Sequence, residues 1–202
     1  MRKNLLLVLL FSLALLLSGC IPANRNQNED EDDTEITEYE NNESDGSDGS
    51  QIIKTALREQ NNEMYSPDAD TTYLYWLKNK PVKLRKTTKC NIFALNTLYK
   101  AGFKTPKTNA LSRDLYNESL FQDILPVVSL NSLEDIRKGD LVVWKYHVII
   151  FESLVFLKGD PFAKGIWAGT SKKDNGKTVK NNVMHGNYPL KGDFVVRRPE
   201  RK

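Results

Sequence analysis

Apolar residues in the middle of the chain recur at the spacing of an amphipathic helix. Residues 90–102 carry three of them, followed by a glycine where a C′ residue would end the helix: Ile92, Leu95, Tyr99 and Gly102. Cys90 would therefore lie in the first turn of this helix. Two threonines shortly before it are candidate N-cap residues: Thr87 and Thr88.

Apolar and β-branched runs in the C-terminal half of the chain predict four strands. They occupy residues 138–144, 146–152, 166–168 and 193–197. The first two runs are close enough in sequence to form a hairpin. Helical patterns precede the strands at residues 51–64 and 113–120, and residues 73–77 could form a further short helix. Because helices come before strands, the predicted fold class is α+β with an antiparallel sheet.

The first 50 residues predict an export signal and a linker rather than part of the fold. A basic start precedes an apolar run over residues 5–17, which is too short for a permanent membrane span, and small residues then lead to Cys20. The next thirty residues contain eleven acidic side chains among Asn, Ser and Gly, a composition that favours disorder. The predicted organisation is a signal peptide over 1–20, a disordered acidic linker over 21–50 and one domain over 51–202.

The charge of the predicted domain differs from the charge of the whole chain. Residues 51–202 contain 26 Lys and Arg and 15 Asp and Glu, a formal net charge of +11, whereas the whole chain carries +3. A basic domain behind an acidic linker predicts a polyanionic partner, such as an anionic cell-wall polymer. No motif of a nucleic-acid-binding protein is present, so nucleic acid is not an expected partner. Two widely separated histidines without a cysteine pair give no zinc set, so we expect neither a metal nor a cofactor.

Cys90 is a candidate nucleophile because of its place in the predicted helix. The amides at a helix N-terminus favour a thiolate and lower the pKa of a thiol there, and the cations that precede it act in the same direction: Lys83, Arg85, Lys86 and Lys89. His147, at the start of the second strand, is the candidate base, and as an imidazolium it would favour the thiolate further. The alternative is a buried structural thiol. The other histidine, His185, is predicted to lie in a loop.

The order of these motifs resembles the papain-like peptidoglycan hydrolases, which include the NlpC-type endopeptidases and the CHAP amidases. The matching pieces are Cys90-x-x-Phe93 with Gly102, Gly139-Asp140-Leu141-Val142, His147-Val148-x-Ile150 and the terminal Arg198-Pro199. The resemblance covers about residues 73–199. It implies a papain-like α+β fold, in which a helix headed by the catalytic cysteine packs on an antiparallel sheet. It also implies that Cys90 is the nucleophile and His147 the general base and acid.

The third polar residue of these families, which orients the imidazole, has no direct match in this sequence. The expected position on the strand after the histidine is nearest Trp167, and an indole cannot accept a proton from histidine. A backbone carbonyl could replace it, and four side chains remain open as substitutes: Glu152, Asp160, Thr170 and Asp174. The aromatic stretch that usually precedes the cysteine is also absent, and Tyr73 or Tyr75 could take its role.

The end of the predicted signal, Leu17-Ser18-Gly19-Cys20, resembles the bacterial lipoprotein box. The resemblance implies lipid attachment at Cys20 and a location in the cell envelope, with the domain outside the cytoplasm. Cys90 then has no cysteine partner. Together the two resemblances imply a monomeric, membrane-anchored cysteine hydrolase that cleaves peptide or amide bonds of peptidoglycan. A non-catalytic wall-binding lipoprotein and a cysteine acyltransferase or peptidase on the same fold remain alternatives.

Overall fold

The main sheet of the protein is antiparallel and carries a buried helix on one face. We describe it from a computed structural model, which covers residues 36–39, 46–85, 87–169, 173–174, 177–178 and 183–202. The helices are α1 (Asp48–Arg58), α2 (Cys90–Lys100) and α3 (Ser112–Tyr116), with single 3₁₀ turns at Glu63–Tyr65, Tyr75–Leu77 and Leu133–Asp135. The strands are β1 (Ile36–Tyr39), β2 (Thr71–Leu74), β3 (Lys80–Lys83), β4 (Leu141–Trp144), β5 (His147–Leu157), β6 (Asp160–Ala168), β7 (Lys173–Asp174), β8 (Lys177–Thr178), β9 (Val183–Pro189) and β10 (Val195–Arg197).

The sheet confirms the predicted α+β class and the predicted hairpin. Five strands follow the order β10-β4-β5-β6-β9, and β1 pairs with the last four residues of β5. Every pairing in this sheet is antiparallel. Trp144 pairs with His147, which leaves Lys145 and Tyr146 as a two-residue turn between β4 and β5. Two small sheets, β2–β3 and β7–β8, are separate from it.

Apolar side chains pack on both faces of the main sheet. On the face that carries α2, Val148, Ile150 and Ile166 belong to the same buried cluster as Cys90. On the other face, Ile149 and other apolar residues form a second cluster. Alternation along β5 puts His147 on this second face, because residues two apart in a strand point the same way.

Helix α2 begins at Cys90 as predicted but is buried almost completely. Nine of its eleven residues are buried, so it is a central helix rather than an amphipathic one. Gly102 follows with a φ of +90°, the left-handed conformation expected of a C′ glycine. The prediction of a threonine N-cap is wrong: the N-cap is Lys89, which makes no side-chain capping bond.

The side chain of Lys89 is fully buried and ends on three backbone carbonyls. Its Nζ donates to the oxygens of Met64, Ser66 and Ala69 at 2.9, 2.7 and 2.6 Å. Burial lowers the pKa of Lys89, and the charge of Asp70 opposes this shift. The side chain of Lys89 therefore holds the segment before β2 in place. This differs from the prediction that the charge of Lys89 lowers the pKa of the Cys90 thiol.

The Gly139-Asp140 motif has a structural role. Gly139 has a φ of +88°, and a Cβ on it would lie 2.7 Å from the Cα of Gly49 in α1. The buried carboxylate of Asp140 accepts two bonds from Arg198, at 3.1 and 2.8 Å, and one from the backbone N–H of Arg137 at 2.9 Å. Two pieces of the predicted family motif, 58 residues apart, are thus joined by one ion pair.

Several predicted boundaries differ from the structure. The helix predicted over residues 51–64 is α1, which starts at Asp48, and residues 73–77 are the end of β2 followed by a 3₁₀ turn. Strand β1 and the start of α1 both lie inside the stretch predicted as a linker. There Glu38 accepts bonds from Ser153 Oγ and Lys164 Nζ, both at 2.8 Å, so tertiary contacts order a segment of unfavourable composition.

The predicted signal peptide and the predicted lipidation site, Cys20, lie outside the described residues. Within the part of the chain that the structure covers, no helix has the length and apolar character needed to cross a bilayer.

Candidate active site

Cys90 is a free cysteine whose side chain is covered in this structure. It is 1% exposed, and its Sγ lies 3.5 Å from the Oγ of Ser112, the first residue of α3. Sequence reasoning missed Ser112, because a residue 22 positions away, just before the helix predicted over residues 113–120, gives no local signal of this contact. The thiol is thus at the start of α2, as predicted, and its hydrogen-bond partner in the described residues is a serine rather than a histidine.

The imidazole of His147 lies between aromatic rings and makes no hydrogen bond with the described residues. Its ring stacks on Tyr188 with 4.9 Å between centroids and 25° between planes, and it lies 6.3 Å from the ring of Trp144. The Nε2 atom is buried and has no partner among the described residues. Buried polar atoms are almost always paired, so this nitrogen marks a place where a ligand or a moved side chain could complete a bond.

Burial lowers the pKa of His147 from its ordinary value to about 4. At neutral pH the ring is therefore uncharged and can accept a proton. The sequence predicts an imidazolium at His147 beside a thiolate at Cys90. The ring is uncharged instead, because burial among aromatic rings disfavours the charged form.

Cys90 and His147 make no hydrogen bond with each other. Tyr188 stacks on His147, and burial raises the pKa of its phenol. Cys90 and His147 belong to opposite faces of the sheet. The structure therefore does not assemble the predicted pair.

A groove of about 640 Å³ runs beside His147 along β9. Its walls include both histidines of the chain, Trp167 and Tyr188, together with Thr88, which lies two residues before Cys90. The groove is therefore the place where the α2 side of the sheet and the aromatic side meet. Among the described residues, no three His, Cys, Asp or Glu side chains gather in a set that could hold a metal ion.

His185 lies in β9 and is held by a carboxylate, so the prediction of a loop histidine is wrong. Its Nε2 is 2.5 Å from Oε2 of Glu152. Glu152 sits at an irregularity in β5, between Phe151 and Ser153, where the pairing with β6 shifts register. His185 pairs with Ile166, which places it on the face that carries α2. The sequence showed no sign of this pair, because apolar alternation does not reveal a bulge.

The described candidates for the third residue do not orient His147. Trp167 packs edge-on against Tyr188 at 5.2 Å, and Glu152 binds His185 instead. Asp160 pairs with Lys191 at 3.0 Å. Thr170 lies outside the described residues, as does the side chain of Asp174 in β7. Of the two ring contacts of His147 among the described residues, the stacking on Tyr188 has the shorter centroid distance.

The buried, neutral His147 predicts an acid-dependent loss of stability. Above about pH 6.5 the imidazole is neutral in both the folded and the unfolded chain, so its contribution is fully present. As the pH falls from 6.5 through the folded pKa of about 4, the unfolded chain takes up the proton first. The free energy of unfolding should then drop by up to about 3 kcal/mol.

Urea denaturation of the wild type and of His147→Gln, at pH values between 7 and 4, measures this drop. The difference between the two proteins isolates His147 from the carboxylates that titrate in the same range. Identical pH dependence in the two proteins would show that the imidazole is not buried in the folded state.

A scan against protein-family models, a search of the curated proteins and a search of the solved structures each found no match to this chain.

Proposed function

We propose that this protein is a membrane-anchored cysteine hydrolase with a papain-like arrangement that cleaves peptide or amide bonds of peptidoglycan. The observation that carries the proposal is the buried Nε2 of His147, which has no partner among the described residues and lies beside a groove whose wall includes Thr88, two residues before α2. A helix N-terminus bearing Cys90 supports the same chemistry, because its unpaired amides can stabilise developing negative charge. The substrate class and the lipid anchor at Cys20 come from the resemblances in the sequence.

In the proposed reaction, His147 accepts the thiol proton as Cys90 attacks the carbonyl carbon of the scissile amide. The oxygen of the tetrahedral intermediate takes a hydrogen bond from the backbone N–H of Cys90. The C–N bond then breaks, and His147 returns its proton to the leaving amine. Water hydrolyses the thioester and releases the acid and the thiol.

The reaction requires a movement that uncovers Cys90. Its side chain is 1% exposed and rests on Ser112 of α3, a helix of five residues. Substrate binding in the groove would have to displace this cover and bring the sulfur within reach of an imidazole. Because His147 lies on the face of the sheet opposite to α2, the reaction also requires the His147 side chain, at the first position of β5, to reorient toward Cys90.

The test is digestion of purified peptidoglycan sacculi by the full chain, with the soluble products identified by mass spectrometry. We expect wild type to release fragments and its matched control, Cys90→Ala, to release none. Products that persist in Cys90→Ala would contradict the assignment. An added amine acceptor separates hydrolysis from acyl transfer, because a transferase would attach the acyl group to the amine.

A non-catalytic wall-binding lipoprotein is the second candidate, and the covered thiol favours it. Neither Cys90 nor His147 has the other as a hydrogen-bond partner, and no described side chain orients the imidazole through a hydrogen bond. The +11 charge of residues 51–202 suits an anionic polymer. A binder would sediment with sacculi equally well as wild type and as Cys90→Ala, would be released by salt and would form no product.

A further inference from the structure

The longest stretch of the chain without an acidic residue runs from Thr71 to Arg113. Its 43 residues contain ten Lys and Arg and no Asp or Glu, so its formal charge is +10, almost the whole excess of residues 51–202. Half of these cations fall within residues 78–86. The charge of the domain is therefore concentrated around the small β2–β3 sheet, which is separate from the main sheet.

The β2–β3 sheet presents its cations to solvent. Lys78 lies in the loop before β3, and Lys80 and Lys83 are the first and last residues of that strand. All three side chains are exposed and make no ion pair with the described residues. Arg85 lies 3.5 Å from Asp70, and both of these side chains are largely exposed. We call the four cations Lys78, Lys80, Lys83 and Arg85 the basic edge.

The basic edge is linear rather than flat. Strand β3 pairs only with β2 among the described strands, so its other side is open. At about 3.3 Å per residue, Lys80 and Arg85 are about 16 Å apart along this side. Lys80 and Lys83 are three residues apart and therefore point to opposite faces of the strand. Such cations cannot all contact a flat membrane at once, whereas a flexible chain can pass along the strand and reach each of them.

The loop after α2 extends the basic surface. The indole N–H of Trp76, which follows β2, donates to the carbonyl of Thr108 at 3.2 Å and so places this loop beside the hairpin. Lys107 precedes Thr108, is exposed and makes no ion pair with the described residues. A ligand on the basic edge therefore finds a further cation next to it.

The side chains of the basic edge favour phosphate as the bound anion. Three of the four are lysines, and the ammonium group of lysine binds phosphate oxygens as a point charge. Flat, bidentate binding of carboxylates is typical of arginine instead, and the single arginine of the edge already has Asp70 beside it. The line of lysines therefore suits a chain whose charges are phosphates.

We propose that the basic edge binds a flexible polymer of phosphodiester units, of the kind found in bacterial cell walls. The surface is independent of Cys90 and His147, and the choice of a wall polymer rests on the proposed location outside the cytoplasm. Binding holds the domain on the wall by charge alone. It therefore weakens as salt rises, because each neutralised phosphate releases counterions from the polymer.

The binding experiment titrates the full chain into a fluorescent poly(glycerol phosphate) at several salt concentrations. By analogy with single-stranded nucleic acid, four contacts give a slope of log affinity against log salt of about −3. Combining Lys78→Gln, Lys80→Gln and Lys83→Gln should lower the affinity at least about tenfold at low salt and reduce the size of the slope by about 2.

The matched control removes the same charge from three exposed lysines elsewhere: Lys54 in α1, Lys145 in the β4–β5 turn and Lys158 in the β5–β6 turn. We expect Lys54→Gln, Lys145→Gln and Lys158→Gln together to lower the affinity less than about threefold and to leave the slope almost unchanged. Circular dichroism of both triple variants checks that they fold.

Equal losses in the two triple variants would overturn the proposal, because net charge and not the basic edge would then cause binding. Equal or tighter binding to polyglutamate, to a single-stranded oligonucleotide or to phosphatidylglycerol vesicles would overturn the phosphodiester wall polymer as the ligand. Unchanged binding with self-association of the Lys78, Lys80 and Lys83 variant would show that these lysines only protect an open strand edge. Digestion of sacculi tests the hydrolase separately: binding without products refutes the hydrolase alone, and products without binding refute the basic edge alone.

Discussion

Replacing His147 with glutamine should lower the rate of peptidoglycan hydrolysis about 100- to 10,000-fold, the range that a general base contributes. Glutamine fills a similar volume and can donate or accept hydrogen bonds, but it cannot take up a proton at neutral pH. His147 is neutral at this pH, and its Nε2 has no partner among the described residues, so it is free to accept a proton. The reduction in rate should appear mainly in kcat, because the base accepts the proton in the transition state.

His185→Gln is the matched control, because His185 lines the same groove and is the only other histidine of the chain. We expect this variant to retain most of the activity. Initial rates on soluble muropeptides, measured for both variants alongside urea denaturation, separate a loss of chemistry from a loss of folding. The reverse result would make His185 the base, with Glu152 as its orienting carboxylate on the same face as α2, and would overturn the role given to His147.

Gly139→Ala should lower the free energy of unfolding by about 2 to 5 kcal/mol. Two costs combine at this position. An alanine must adopt a φ of +88°, and its Cβ would lie 2.7 Å from the Cα of Gly49, so α1 must move away from the start of β4. Backbone atoms cannot rotate aside as a flexible side chain can, so the second cost is not relieved locally.

Gly159→Ala separates these two costs, because Gly159 has a φ of +82° with no atom within 4 Å of the added Cβ. This variant should lose only about 1 to 2 kcal/mol. Urea titration, with the midpoint compared at constant slope, provides both values. Equal losses at the two positions would show that α1 does not pack against Gly139.

The sequence predicted correctly those parts of the fold whose signals lie within a few consecutive residues. Helix α2 is one of them, because its apolar spacing and its C-terminal glycine are both local features. The β4–β5 hairpin is another, because apolar runs lie directly on either side of Lys145 and Tyr146. Strand β9 carries no such signal, because its sequence, Val183–Pro189, lacks alternating apolar residues and the strand is ordered by pairing with β6. The sequence analysis therefore misplaced His185.

The candidate site was harder to predict than the fold, since its contacts join distant residues. Lys89 precedes Cys90 in the chain, yet its charge is directed to carbonyls 20 to 25 residues earlier. The sequence leaves Glu152 open as a partner of His147, but Glu152 lies at the register shift in β5 and binds His185. For both Lys89 and Glu152, proximity in the sequence therefore predicted the wrong electrostatic partner.

The pairing of β1 with β5 determines from which end of the domain the preceding chain departs. Ile36 lies opposite Leu157, whereas His147 is the first residue of the same strand. At about 3.3 Å per residue, these two points are about 30 Å apart along β5. The chain therefore enters the sheet at the end of β5 remote from His147, so the entry point does not obstruct the groove beside His147.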